Sequence, residues 1–166
     1  MRSVEPSLEF EALFDRLWRK SVRLAERLVG TGDAEDVAVE AFARALERWE
    51  RVRRLPHLDA WMLRVTTNAA LDTLRRTRRT VSVDRAEVVS PLDTVALRLA
   101  LGEALRRLPR RQSEVIVLRY LAQLSEPEVA AALGISLGTV KTHARRGVAT
   151  LRHQLGATRE ELFHVG

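Results

Sequence analysis

The sequence predicts an all-α fold: two small helical domains joined by a short linker, with a helix-turn-helix in the second. Three observations predict it. Apolar residues return at helical spacing along most of the chain, and no stretch shows the sustained alternation of a half-buried strand. That helical periodicity fails once, around residues 78 to 90. Near the carboxyl end, a short capped segment, a glycine turn and a longer amphipathic segment follow one another at helix-turn-helix spacing.

The elements follow in order. "LEFEALFDRLWRKSVRLAERLV" (8 to 29) sets Leu13, Leu17, Leu24 and Leu28 on one face, with Phe10, Phe14, Trp18 and Val22 nearby; Gly30 and Gly32 are expected to stop it. A second helix follows, with Asp33 as the expected cap, Glu35 and Asp36 at the positive end of its dipole, and Ala41, Phe42, Ala45 and Trp49 as its buried face. Pro56 breaks the pattern, and Asp59 opens "DAWMLRVTTNAALDTLRRTRR". Ser90-Pro91 then has the form of a helix start, with Asp93 in the first turn. A helix up to Pro109 and another over "RRQSEVIVLRYLAQL" come next. "SEPEVAAALG" has a Ser125/Glu128 capping box and a terminal Gly134. The last long helix is capped by Ser136, and Thr158 and Glu161 have the spacing to add one more turn. The domains expected are 6–79 and 91–156, with a linker at 80–90 and a tail at 157–166.

Composition narrows the function. Of 166 residues, 46% are apolar and 30% charged, so packing rather than disorder is expected. The net charge of +6 points to a polyanion, nucleic acid before membrane surface. The basic excess is uneven: Lys and Arg number 14 against 13 Asp and Glu up to Thr77, and 14 against 9 beyond it. An acidic surface set apart for a protein partner fits the balanced first half. With no cysteine, a disulfide scaffold, thiolate zinc and a Cys nucleophile are excluded. The acidic start does not read as a signal peptide, and no apolar run approaches the roughly 20 residues of a membrane span. A cytoplasmic protein without membrane insertion is expected.

Three constellations carry the functional expectation. In the helix-turn-helix, Val129, Ala130 and Leu133 pack the short helix and Ile135 plugs the angle. Val140, Ala144, Val148, Leu151 and Leu155 form the core stripe of the last helix. Thr142, Arg146 and His153 therefore lie opposite, flanked by Lys141 and Arg145. Arg145 and Arg146 suit a guanine edge, Thr142 a base or a thymine methyl, and Lys141 and Arg119 phosphates. Ser136, Thr139 and His143 complete this duplex-facing set. A solvated basic face is the alternative, and His143 and His153 alone do not make a metal site.

On the second helix, Asp36, Glu40 and Glu47 lie opposite the core face; they form either a docking stripe or a solvated face with pairs such as Glu40 to Arg44. On the third, Trp61, Arg64, Asn68 and Arg75 share a stripe with Asp72 beside it. Aromatic, guanidinium and amide groups together suit unpaired bases. Trp61 in the core and an Asp72–Arg76 pair are the alternative. Arg75, Arg76, Arg78 and Arg79 are placed to meet phosphates.

With these residues in view, the chain resembles bacterial RNA polymerase sigma factors of the extracytoplasmic-function (ECF) group. "LRRLPRRQSEVIVLRYLAQLSEPEVAAALGISLGTVKTHARRGVATLR" is similar to their region 4. "GDAEDVAVEAFARALERWERV" and "DAWMLRVTTNAALDTLRR" are similar to their region 2. The resemblance implies that region 4 reads the minus-thirty-five element. Region 2 would dock on the clamp helices of the polymerase's largest subunit and open the minus-ten element. It implies that the loop from Glu50 to Leu58, with Arg53 and Arg54, captures a flipped base. It further implies contact with the flap of the second-largest subunit, an anti-sigma factor as partner, and no cofactor or metal. Val39 stands where the family usually has Gln in an Asp-x-x-Gln-Glu pattern, here "DVAVE". Two other readings are weighed. A response-regulator activator would need strands in the first half. A nuclease would need clustered carboxylates at metal-binding spacing.

Overall fold

The computed structural model describes residues 7–80 and 94–163, and the side chains of 7–77 and 95–156. Its helices are α1 (Leu8–Val29), α2 (Thr31–Glu47), α3 (Trp49–Val52), α4 (Leu58–Thr80), α5 (Thr94–Arg107), α6 (Arg110–Ile116), α7 (Glu126–Leu133) and α8 (Leu137–Phe163). A wide π-turn over Val117–Leu121 continues α6. No strand occurs among the described residues.

Ser7 caps α1 by accepting from the Phe10 amide, and the same hydroxyl accepts from Trp49 Nε1 at 2.8 Å. Asp33 does not cap α2. The helix starts earlier, at Thr31, behind Gly30, whose φ of +83° is open to glycine but strained for other residues. Asp33 sits in the first turn instead, where its charge meets the helix dipole, and Gly32 lies inside α2 rather than ending α1. Trp49 is buried as expected, but on the separate turn α3 after the chain bends at Arg48. The helical run of α4 reaches Thr80, the first residue of the expected linker. The expected start at Ser90, Pro91 and Asp93 lies outside the described residues. The extra turn expected after Gly156 is a direct continuation of α8.

The front group, α1, α2 and α4, is a three-helix bundle. Part of its core is aromatic: Phe10 meets Trp49 edge-on at 5.2 Å, and at the core's edge the exposed Phe14 stacks on the half-buried Trp18 at 4.9 Å. The rear group is α5 to α8. The Ser125/Glu128 capping box closes both ways, Gly134 takes the left-handed φ of +65°, and Ser136 caps α8 through the Thr139 amide. Val140, Ala144 and Leu151 are buried, with Val148 and Leu155 packed at the edge.

Beside a cluster of the front group alone, with Leu13, Leu17, Phe42, Trp49 and Met62, the two groups share a second core. It runs from Leu24, Leu28 and Val37 through Leu63 and Ala70 of α4 to Leu105, Leu118, Val129 and Val140. Close approach is built in at Gly102 of α5, where a Cβ would stand 3.3 Å from Leu74 Cδ2. The helix α4 is thus covered on two faces, by α1 and α2 and by the rear group.

Candidate nucleic-acid interface

The amino end of α8 presents its polar residues outward. Arg145 and Arg146 are exposed and make no ion pair among the described residues. Lys141 is exposed, 3.9 Å from Glu126. Two hydroxyls are already committed: Thr139 Oγ1 shares a hydrogen bond with Ser136 Oγ at 2.7 Å, and Thr142 donates to Gly138 O at 3.0 Å. Thr142 therefore offers a methyl and an acceptor rather than a proton. His143 is half-buried, with Nδ1 unpaired. Arg119 lies behind this face. It braces the turn before α7 by donating to Leu124 O at 3.1 Å and sits over the Tyr120 ring; its remaining donors are available to a phosphate.

The α4 stripe is built differently. Trp61, Arg64, Asn68, Asp72 and Arg75 share one side, all half-buried, and Arg76 is exposed at its edge. The start of α4 is fixed by a forked pair between Arg16 and Asp59, whose hydrogen bond raises the Arg16 pKa above its ordinary value. Trp61 packs partly on the aromatic cluster and partly lines a cleft of about 340 Å³ with Arg44, Arg48, Arg64 and Asn68. Arg64 Nε and Asn68 Oδ1 are buried there without a hydrogen-bond partner. Arg48 is not among the residues that the sequence pattern singles out, and Arg44 enters there only as a partner for Glu40; their place on and just after α2, within 17 residues of the stripe, is the signal that could have found them. In the loop, Arg53 pairs with Glu9 and Glu50, whose hydrogen bond and charge raise its pKa, while Arg54 is exposed.

On α2, Asp36, Val39 and Glu47 are exposed; Val39 is 57% accessible, high for an apolar side chain. Glu40 is partly engaged, paired with Arg44 and 3.7 Å from Arg76. Among the described residues no group of His, Asp and Glu could hold a metal ion, and no described helix is long and apolar enough to cross a membrane.

The family models match both halves in order: Sigma-70 region 2 over residues 13–80 and Sigma-70, region 4 over residues 98–151. The chain belongs to the sigma-70 family. It is an RNA polymerase sigma factor of the ECF group, acting in transcription initiation. It is 37% identical over 156 residues to the RNA polymerase sigma-E factor of Streptomyces coelicolor, covering 90% of this chain and 88% of that protein. It is 31% identical over 165 residues to the ECF RNA polymerase sigma factor SigW of Bacillus subtilis, covering 88% of each. A solved complex of CnrH with the cytosolic domain of CnrY contains a similar chain, with a TM-score of 0.60, 26% identity and coverage of 89% and 88%. Sigma factor RpoE of Bartonella quintana, solved with the anti-sigma factor NepR, shares the fold at a TM-score of 0.60 and 20% identity, covering 90% and 98%.

In this sigma factor, the expected Asp72–Arg76 pair is not formed. Asp72 instead accepts from Arg110 Nη1 of the rear group at 2.8 Å, while Arg76 turns towards Glu40. Burial alone would lower the Arg110 pKa, but the hydrogen bond and charge of Asp72, together with Glu114, outweigh it and raise the pKa. Arg64 Nη1 donates to Ala132 O at 3.1 Å. Of the residues expected to face duplex, Arg145 and Arg146 are open and Lys141 is exposed near Glu126; of those expected to face an unpaired strand, Arg64 and Asp72 already hold protein.

Proposed function

We propose that this sigma factor reads duplex DNA upstream with α8 and holds the unpaired minus-ten strand along α4. Arg145 and Arg146 reach base edges, and Lys141 and Arg119 hold phosphates, with Ser136, Thr139, Thr142 and His143 around them. Trp61 and Asn68 receive bases, and Arg53, Arg54, Arg64, Arg75 and Arg76 carry the backbone, with Asp72 beside them. The front domain is assigned to residues 6–79, the linker to 80–90, the rear domain to 91–156 and the tail to 157–166. Asp36, Val39, Glu40 and Glu47 dock on the clamp helices of core polymerase, and the rear domain meets the flap. An anti-sigma factor is the expected antagonist, by analogy with the solved RpoE–NepR complex. The protein acts in the cytoplasm without catalysis or cofactor, and opening of DNA runs on binding energy alone.

The observation that carries this is the order of two family regions, each coinciding with one helical group and one polar stripe. The test is reconstitution. Core polymerase, this chain and a promoter from its own genome should give a specific transcript that neither protein gives alone. A chain that does not associate with core polymerase at moderate salt would falsify the assignment.

A further inference from the structure

The first half of the chain is nearly balanced in charge, but the fold sorts the two signs. On α2, Asp33, Glu35, Asp36 and Glu47 are exposed. From Asp15 to Arg27, the exposed residues of α1 are Asp15 and five basic ones: Arg16, Arg19, Lys20, Arg23 and Arg27. Helical spacing puts those five within an arc of about 100°, over a length of about 16 Å. The two ends of the stripe are anchored. Arg16 forks onto Asp59 of α4, and Arg27 donates to Leu121 O of the rear group at 2.8 Å. Between them, Arg19, Lys20 and Arg23 make no ion pair among the described residues. Asp59 lies across α4 from Trp61, Arg64 and Asn68 by helical spacing, so this stripe is separate from the one on α4. No role given above uses it.

We propose that this face of α1 is a further duplex-binding surface, a track for the phosphate backbone that reads no sequence, with Arg19, Lys20 and Arg23 as its contacts. It adds to the reading above and does not depend on the assignments of α4 or α8. Like charges three and four residues apart on a helix repel one another, and a row of phosphates relieves that repulsion. The make-up of the face selects the ligand. A protein interface has an apolar centre, commonly aromatic. A helix that lies on a membrane carries apolar anchors beside its basic residues. An unpaired strand needs aromatic platforms for its bases. The stripe offers none of these. The nearest exposed aromatic, Phe14, turns towards α2, where it stacks on Trp18 and meets Phe42 edge-on. A duplex keeps its bases stacked inside and presents phosphates, which is what guanidinium and ammonium groups in open solvent can hold.

The experiment uses the full chain and a triple variant, Arg19→Gln with Lys20→Gln and Arg23→Gln. Glutamine keeps the helix propensity of this exposed face, and circular dichroism checks the helical content. The probes are a fluorescein-labelled random duplex of about twenty base pairs and one of its single strands. The triple variant should bind the duplex about tenfold more weakly at about 50 mM salt, with a salt slope smaller in magnitude by about 2 to 3. Residual duplex binding through α8 is expected. Single-strand affinity should fall less than about threefold, because only long-range attraction is lost there. In the otherwise unaltered chain, which has no cysteine, a photo-crosslinker on Ala12→Cys, exposed on the same face, should attach to the duplex. Unchanged duplex affinity overturns the proposal. So does an equal loss on duplex and single strand, which reflects net charge alone, and so does an absent crosslink in a chain that binds the duplex. Core polymerase and vesicles of anionic lipid are measured in parallel. A triple variant that loses either of them while keeping its duplex affinity assigns the stripe to a protein or a membrane, and the proposal fails.

Discussion

The two longest helices, α4 with 23 residues and α8 with 27, both carry a basic stripe, yet they meet their surroundings in opposite ways. The amino-terminal half of α8 buries one narrow stripe, Val140 to Ala144, and leaves its arginines in solvent. On α4, by contrast, Ala60, Met62, Leu63, Thr66, Thr67, Ala69, Ala70 and Leu71 are all buried, and the polar stripe survives only as a half-covered seam. An amphipathic helix has one packed face; a helix packed on two faces sits inside an assembly. The stripe proposed to read duplex is therefore presented from the edge of the molecule, while the stripe proposed to hold unpaired DNA lies at the seam between its two halves.

The largest effect should test whether that seam makes one cooperative unit. Leu105 of α5 is fully buried in the cluster that also holds Leu28, Leu63 and Ala70. Leu105→Ala should cost about 2–5 kcal/mol. Because the core is shared, thermal unfolding followed by the front tryptophans and by total helicity should shift together as one transition. If the tryptophan signal stays at the wild-type temperature while half the helicity melts early, the two halves are independent.

The next contrast lies within α8. Arg146→Ala should lose about 1–3 kcal/mol on the preferred upstream duplex and blur the preference at one position. Lys141→Ala should weaken every duplex alike and reduce the magnitude of the salt slope by about 1. Titrations on matched and scrambled duplexes at several salt concentrations separate the two. Equal losses on every sequence would remove Arg146 from the base readers.

On the front half the comparable probe is Val39, the exposed apolar residue of the acidic face. Val39→Gln restores the group expected from the family pattern, and should tighten core-polymerase binding by about 1 kcal/mol if one hydrogen bond is gained. Competition against the wild type for limiting core polymerase reads this directly. A weaker complex would mean that the valine makes an apolar contact of its own.

The sequence is most informative where structure is decided locally. The capping box at Ser125, the left-handed Gly134, the Ser136 cap and the core stripe of α8 each need only a few neighbouring residues, and each stands where the spacing places it. The start of α2 departs from expectation for a local reason too: Asp33 is a good cap, but Gly30 already turns the chain tightly enough to begin the helix before it. What periodicity does not reveal is the second packed face of α4. Ala60, Thr67 and Ala70 are small or weakly polar and blend with an ordinary helix surface, and the Asp72–Arg110 pair spans 38 residues of chain. The stripes are legible residue by residue, but which of them is covered depends on contacts between halves.

A last difference between the halves is in the backbone. Among the described residues, the front group has no non-glycine residue at positive φ; the rear group has one, Gln123, at +59°. It lies just beyond the π-turn over Val117–Leu121 and just before the Ser125 cap, in the turn that Arg119 braces through Leu124 O. Its side chain is exposed, so nothing in the core needs it. A left-handed conformation costs an ordinary side chain about 1–2 kcal/mol, and glycine escapes that cost while giving back part of it through a more flexible unfolded chain. Gln123→Gly should therefore stabilise the protein by about 0.5–1 kcal/mol, a rise of roughly 1–4 °C in melting temperature for a chain of this size. If the core is shared, the front tryptophans should report the same rise although the change lies in the rear domain. A gain seen in total helicity alone would mean that the strain is felt only locally and that the halves unfold apart.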